Sequence, residues 1–169
     1  MTQPQATRKR RPNRAAFTLV EIMMVLVIIA ITAAVVIPNA ISTASFQATS
    51  AARMIATDLQ YAQDTAITSQ TPVTVTFNVA NESYTLSNAS GTLIHPITKV
   101  AYVTAFGTLK GFSDVGIVSA NFGGASVVTF DELGSPNQAG TISLQAGEHA
   151  YRLDVAAATG KVTVTRTGP

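Results

Sequence analysis

The chain contains no cysteine among its 169 residues, which excludes a disulfide framework and a thiolate metal site and leaves redox compartment unreadable from this residue. A catalytic constellation is also missing. Its two histidines, His95 and His149, have no acidic or nucleophilic neighbour at a telling spacing, so both are expected to be surface side chains. Asp131-Glu132 are adjacent carboxylates without the ligand spacing of a calcium loop, and read as a solvated turn. Gly107 and Gly123-Gly124 lack the strand, glycine-rich loop and helix that surround a phosphate cradle, and read as flexible joints. No enzyme, cofactor or metal is expected.

Acidic residues are absent from the first sixteen positions, where five of the eleven lysines and arginines fall: Arg8, Lys9, Arg10, Arg11 and Arg14. The remaining chain carries six basic against nine acidic side chains and is mildly acidic, unlike a polycation that binds nucleic acid along its surface. Positive charge is concentrated where a membrane protein keeps its cytoplasmic end.

Residues 1–16 have nothing periodic to bury and read as a leader. From Ile22 to Ile37 only Thr32 interrupts an apolar run, and counted from Phe17 the stretch is long enough, at about 1.5 Å per residue, to span a bilayer core. Pro38 ends it and should kink or loosen the helix. Beyond it Ile41, Ala44, Ala48, Ala51, Ile55, Leu59, Ala62 and Ala66 recur in steps of three and four. The opposite face carries Ser45, Gln47, Thr49, Ser50, Arg53, Thr57, Gln60 and Gln63. The expected unit is one long helix from Phe17 to about Ser69, with a spanning part at 17–38 and an amphipathic part at 39–70.

After Thr71-Pro72 the period changes to two: Val73, Val75, Phe77 and Val79 alternate with Thr74, Thr76 and Asn78, and a turn at Asn81-Glu82 leads into Tyr84-Thr85-Leu86, a hairpin. Residues 88–124 are less regular, with short strand candidates at 100–103 and 116–118. Four β segments follow, at 126–130, 140–144, 150–155 and 161–165, joined by turns rich in glycine, with Pro136 in the first. The fold class is therefore α+β, an antiparallel sheet domain at 71–169 that buries the amphipathic helix half against one face.

The window Arg14-Ala15-Ala16-Phe17-Thr18-Leu19-Val20-Glu21-Ile22, followed by the apolar helix, resembles the class III signal of type IV pilins and type II secretion pseudopilins. The resemblance implies a pilin-like fold and cleavage by a membrane prepilin peptidase between Ala16 and Phe17. It also implies methylation of the new terminus and use of the retained helix as filament core. By it Glu21 is the fifth mature residue and Pro38 occupies the family's helix-disrupting position; the alanine before the cut replaces the usual glycine. Glu21 in an apolar helix asks for a partner, and the α-amino group of Phe17 on a neighbouring subunit supplies one. Position alone offers two plainer accounts of Glu21, a carboxylate at the membrane interface and a charge suited to the first turn of a helix.

An ordinary secretory signal cut after Ala44 competes with this reading, but its apolar region would be longer than the usual roughly 7–15 residues and would begin with a carboxylate. An uncleaved anchor is the other competitor. The segments Val127-Val128-Thr129-Phe130, Gly134-Ser135-Pro136, Thr141-Ile142-Ser143-Leu144 and Tyr151-Arg152-Leu153-Asp154-Val155 with Gly160-Lys161-Val162 resemble the closing β region of GspH/FimT-type minor pseudopilins. That resemblance implies a minor subunit of a type II secretion pseudopilus in the bacterial inner membrane, N-terminus cytoplasmic and C-terminal domain periplasmic. Its implied partners are the prepilin peptidase/methyltransferase, other pseudopilins or pilins, and an inner-membrane assembly platform. The alternatives are a FimT-like minor type IV pilin that binds DNA in natural transformation and a major filament subunit. Against DNA binding, Arg152, Lys161 and Arg166 are interleaved with Glu148 and Asp154.

Overall fold

The computed structural model describes residues 17–40 and 43–168, with the backbone alone at 35–40. The chain divides into two compact units, 1–40 and 41–169.

The first unit contributes helix α1, Leu19–Ala40. Thr18 caps it: its Oγ1 accepts the Glu21 N–H at 3.2 Å and its carbonyl accepts the Ile22 N–H at 3.2 Å. Thr-x-x-Glu is the sequence of a capping box, so this motif also starts a helix. Thr32 turns its hydroxyl back onto the carbonyls of Ile28 and Ile29, both at 2.9 Å, which satisfies a polar group inside an apolar segment. The helix continues through Pro38 to Ala40, so the expected loosening does not interrupt it; a proline removes one intrahelical bond and leaves the rest of the ladder available. Among the described residues no helix is long and apolar enough to cross a membrane, and the side chains described in α1 end at Ala34.

In the second unit, α2 runs from Thr43 to Ser69. Continuity of the expected single helix turns on residues 41–42, which lie outside the described residues, as does Ile41 of the predicted stripe. The rest of the stripe is buried as expected, with Ala44 partly covered, and Ala52 joins it. Two residues assigned to the polar face belong to the interface instead. Gln47 is buried and accepts the Asp114 N–H at 3.2 Å. Gln63 donates to the carbonyls of Gly134 at 2.7 Å and Thr159 at 2.9 Å, tying two turns to the helix. Side-chain amides can sit at a packed interface when backbone groups of loops meet them there.

Among the described residues, nine strands form two antiparallel sheets. The first contains β1 (Val73–Asn78), β2 (Ser83–Asn88), β3 (Gly91–Thr92), β4 (Val103–Ala105) and β6 (Val127–Phe130), in the order β3-β2-β1-β6 with β4 also on β2. The second runs β5-β7-β8-β9, from Val115–Phe122, Gly140–Ala146, His149–Val155 and Val162–Arg166. The β1–β2 hairpin forms as read, with Val75 opposite Leu86 and Phe77 opposite Tyr84.

The antiparallel domain expected at 71–169 is present, and its strands are divided between the two sheets. β6 leaves the other three and pairs with β1, Phe130 opposite Val73. The loop after β6 is held by Asp131, whose Oδ1 accepts the N–H groups of Leu133 and Ser135, so it carries the chain from one sheet to the other rather than closing a hairpin. The 116–118 candidate extends to eight residues as β5, and Gly123-Gly124, read as joints, form the tight turn that follows it, with positive φ at both. The 100–103 candidate is displaced to β4, which it overlaps only at Val103, while Ala101 makes an isolated bridge to Ile94. Alanine at the centre of α2 lets its backbone come close to both sheets, which supply Phe130, Ile142, Leu144 and Leu153 to a shared core.

Candidate processing and assembly site

Of the four residues singled out for processing and assembly, Ala16 lies outside the described residues. Phe17 is 74% exposed at the head of α1, next to the capping threonine. Glu21 is exposed one turn into the helix, and among the described residues its carboxylate forms no ion pair. Pro38 lies within the last turn of α1, where only backbone is described. Around Glu21 every described side chain from Leu19 to Ala34 is exposed, and this surface is apolar on all sides. A helix of that kind needs an apolar medium or other helices around it. Chemically, the described segment offers an exposed Phe17, a capped helix start and one carboxylate.

The C-terminal unit holds a polar node that the sequence reading missed. Asp58 of α2 accepts from the Tyr84 hydroxyl at 2.5 Å through Oδ2 and from the Tyr102 hydroxyl at 3.1 Å through Oδ1. Burial raises the Asp58 carboxyl above the ordinary carboxylate value, and the two tyrosyl hydrogen bonds and the charge of nearby His95 act against that rise. Tyr84 and Tyr102 are raised in turn, first by burial and then by the Asp58 charge. His95, expected at the surface, is half-buried there: its ring lies 4.6 Å from that of Tyr102, and its Nδ1 accepts the N–H groups of Ile97 and Thr98, both at 3.2 Å. A signal existed, since Asp58 lies three residues after Ile55 and four before Ala62, on the border of the buried stripe.

On the second sheet the basic side chains are dispersed. Arg152 pairs with Asp154 at 2.7 Å, and Arg166 contacts His149 Nδ1 at 3.1 Å. One of the three cations expected there is thus neutralised by its own strand.

Residues 51–160 match the family model described as type II transport protein GspH, and residues 11–37 match the prokaryotic N-terminal methylation motif. No curated protein matches the sequence. The minor pseudopilin EpsH of the Vibrio cholerae type 2 secretion system is similar in structure at 17% identity and a TM-score of 0.53, over 73% of this chain and 98% of EpsH. The type IV minor pilin FimU of Pseudomonas aeruginosa is similar at 16% identity and a TM-score of 0.54, over 74% of this chain and 94% of FimU. These likenesses establish a pilin-like α+β fold, and the family match takes in well over half of the sequence. A capped apolar helix carrying the methylation motif, ahead of a two-sheet body that matches the family model, makes this chain a member of the GspH family of type IV pilin-like proteins.

Proposed function

We propose that the protein is a minor pseudopilin of a type II secretion pseudopilus, a structural subunit and not an enzyme. The observation that carries this reading is the GspH match over residues 51–160 joined in one chain to the methylation motif at 11–37. In this account residues 17–38 hold the precursor in the bacterial inner membrane, with residues 1–16 cytoplasmic and the body periplasmic. Prepilin peptidase cuts between Ala16 and Phe17 and methylates Phe17, and the helix then enters the filament among other pseudopilins on an inner-membrane platform. Glu21 meets the α-amino group of Phe17 on a neighbouring subunit, and the pair sets axial register, because two opposite charges in an apolar filament core are stable only together. The all-round apolar surface of α1 and the accessibility of Glu21 support this reading.

Mass spectrometry of the protein from its own cells should find N-methylated Phe17 at the amino terminus. Deletion of the gene should impair export by the secretion system, with wild type restoring it and Glu21→Ala and Glu21→Gln both incorporated poorly. An intact leader, or normal incorporation of both variants, would contradict the corresponding step.

The likeness to a type IV minor pilin supports a second reading, a minor type IV pilin; binding DNA during uptake is the role that the resemblance to FimT-type proteins implies for such a subunit. The Arg152–Asp154 pairing weighs against it, since a phosphate-binding face needs uncompensated cations. Salt-sensitive retention of DNA by residues 45–169 in a gel shift would reverse the order of the two.

A further inference from the structure

One cavity in the C-terminal unit joins an apolar wall to an ionisable group and has no part in anchoring or processing. It lies between α2 and the excursion that carries β4, measures about 470 Å³, and is lined by Met54, Val100, Val103 and Leu109 together with Asp58 and His95. Asp58 is only partly covered, and among the described residues no lysine or arginine pairs with it. Two tyrosyl hydroxyls donate to it, one on each oxygen, which suits the ionised form and leaves roughly two of about four lone-pair sites open. A partly desolvated carboxylate facing an apolar cavity attracts a cation and repels an anion. Beside the cavity the chain exposes Ile97 at 83%, Val100 at 60% and Val103 at 53%, a rim that a small free ion would leave wet.

We propose that this cavity receives a lysine or arginine side chain of a protein partner, its aliphatic stem against Met54 and Leu109, its charged end on Asp58, and its apolar neighbours on the rim. Charge complementarity selects the basic group, and the exposed rim selects a polypeptide over a free amine.

The four methionines provide the test, since Met54 lines the cavity while Met23 and Met24 report on α1. The full chain, labelled with ¹³C-methyl methionine in non-ionic detergent micelles, is titrated with acetyl-Leu-Lys-Leu-amide. The same titration is run with the norleucine analogue that keeps the stem and loses the charge, and with n-butylammonium. The expected result is a saturable shift of the Met54 methyl with the lysine peptide, at least tenfold weaker with either control. Asp58→Asn, which keeps the shape and removes the charge, should weaken the lysine peptide at least tenfold without moving the melting temperature by more than a few degrees. Leu109→Lys, at an exposed rim position, should weaken it similarly and decides the matter if Asp58→Asn fails to fold. No saturable shift, an equal response to norleucine, or unchanged binding in the variants overturns the proposal. Equal affinity for n-butylammonium overturns the protein partner in favour of a free amine.

Discussion

The two helices of this chain are both rich in small and apolar residues, yet they solve opposite problems. On α2 the apolar face is a narrow stripe of alanines with Ile55 and Leu59, and the chain's own sheets bury it from Ala48 to Ala66. On α1 bulky apolar side chains point in every direction, and those from Leu19 to Ala34 remain exposed. At about 25 cal/mol per Å² of apolar surface, leaving the large side chains of α1 in water would cost on the order of tens of kcal/mol over its length, so the helix calls for apolar cover. An alanine stripe specifies how near a partner comes, whereas an all-round surface of isoleucine, valine and leucine specifies a medium.

The largest effect expected from breaking this comparison is an exchange of defects. On the proposed reading of residues 17–38 as the anchor, Ile28→Asp should release the protein from the membrane fraction, because a carboxylate near the centre of a spanning helix costs roughly 2.5–3.5 kcal/mol on insertion scales. Melting of the C-terminal unit, followed by circular dichroism in micelles, should not change. Ala52→Leu should do the reverse: at a position with no exposed surface, the added volume costs about 1–3 kcal/mol and lowers melting by several degrees while membrane retention persists. If both variants lose both properties, the helices are not the independent devices described.

The turns clamped onto α2 sharpen the contrast within the body. Gly134 has φ +81°, and a Cβ there would lie 2.7 Å from Ile67 Cδ1, so Gly134→Ala combines backbone strain with a clash. Gly147 has φ +57° and would meet only the Ala44 Cβ at 3.5 Å, an ordinary contact. Gly134→Ala should therefore destabilise by about 1–3 kcal/mol and by visibly more than Gly147→Ala in parallel denaturant melts.

How much of this was legible beforehand follows from what each feature depends on. Residues whose neighbours lie three or four positions away, such as Ala48, Ala51, Ile55 and Leu59, declared their helix face, and the alternation from Val73 to Asn78 declared a strand. The pairing of β6 with β1 is set by a crossover loop whose turn chemistry resembles that of a hairpin, so it was invisible in the local pattern. Gln47 and Gln63 look polar in sequence, and only the approach of Asp114, Gly134 and Thr159 makes them interface residues. The Asp58 node depends on tyrosines 26 and 44 residues away, a distance at which no periodicity speaks. The N-terminal pattern was legible for another reason: the methylation motif matched over residues 11–37 is a short linear signal.

A smaller effect concerns pH. Because burial raises the folded Asp58 carboxyl above its unfolded value near 3.8, its contribution to stability is fully present below that value and is lost as pH rises through the folded one. Asp58→Asn should therefore gain on wild type as pH rises from about 3 and level off once the folded group has ionised. A difference in melting temperature that moves the other way would mean that the tyrosyl hydrogen bonds outweigh burial. No such dependence is expected from an α1 variant.

The smallest effect tests whether α1 has any stability of its own. Thr18→Ala removes the hydroxyl that accepts the Glu21 N–H, at a typical cost of about 1 kcal/mol to the start of a helix. Amide exchange at Glu21 should speed up by roughly fivefold for that loss, given that 1.4 kcal/mol is a factor of ten, while amides of β7 and β8 stay unchanged. If surrounding apolar material rather than the cap fixes the first turn, exchange at Glu21 will not respond in micelles but will respond when α1 is less well covered. Comparing the two conditions separates local capping from external cover. That is the same division between a helix satisfied by its chain and one satisfied by its surroundings, now read at a single amide.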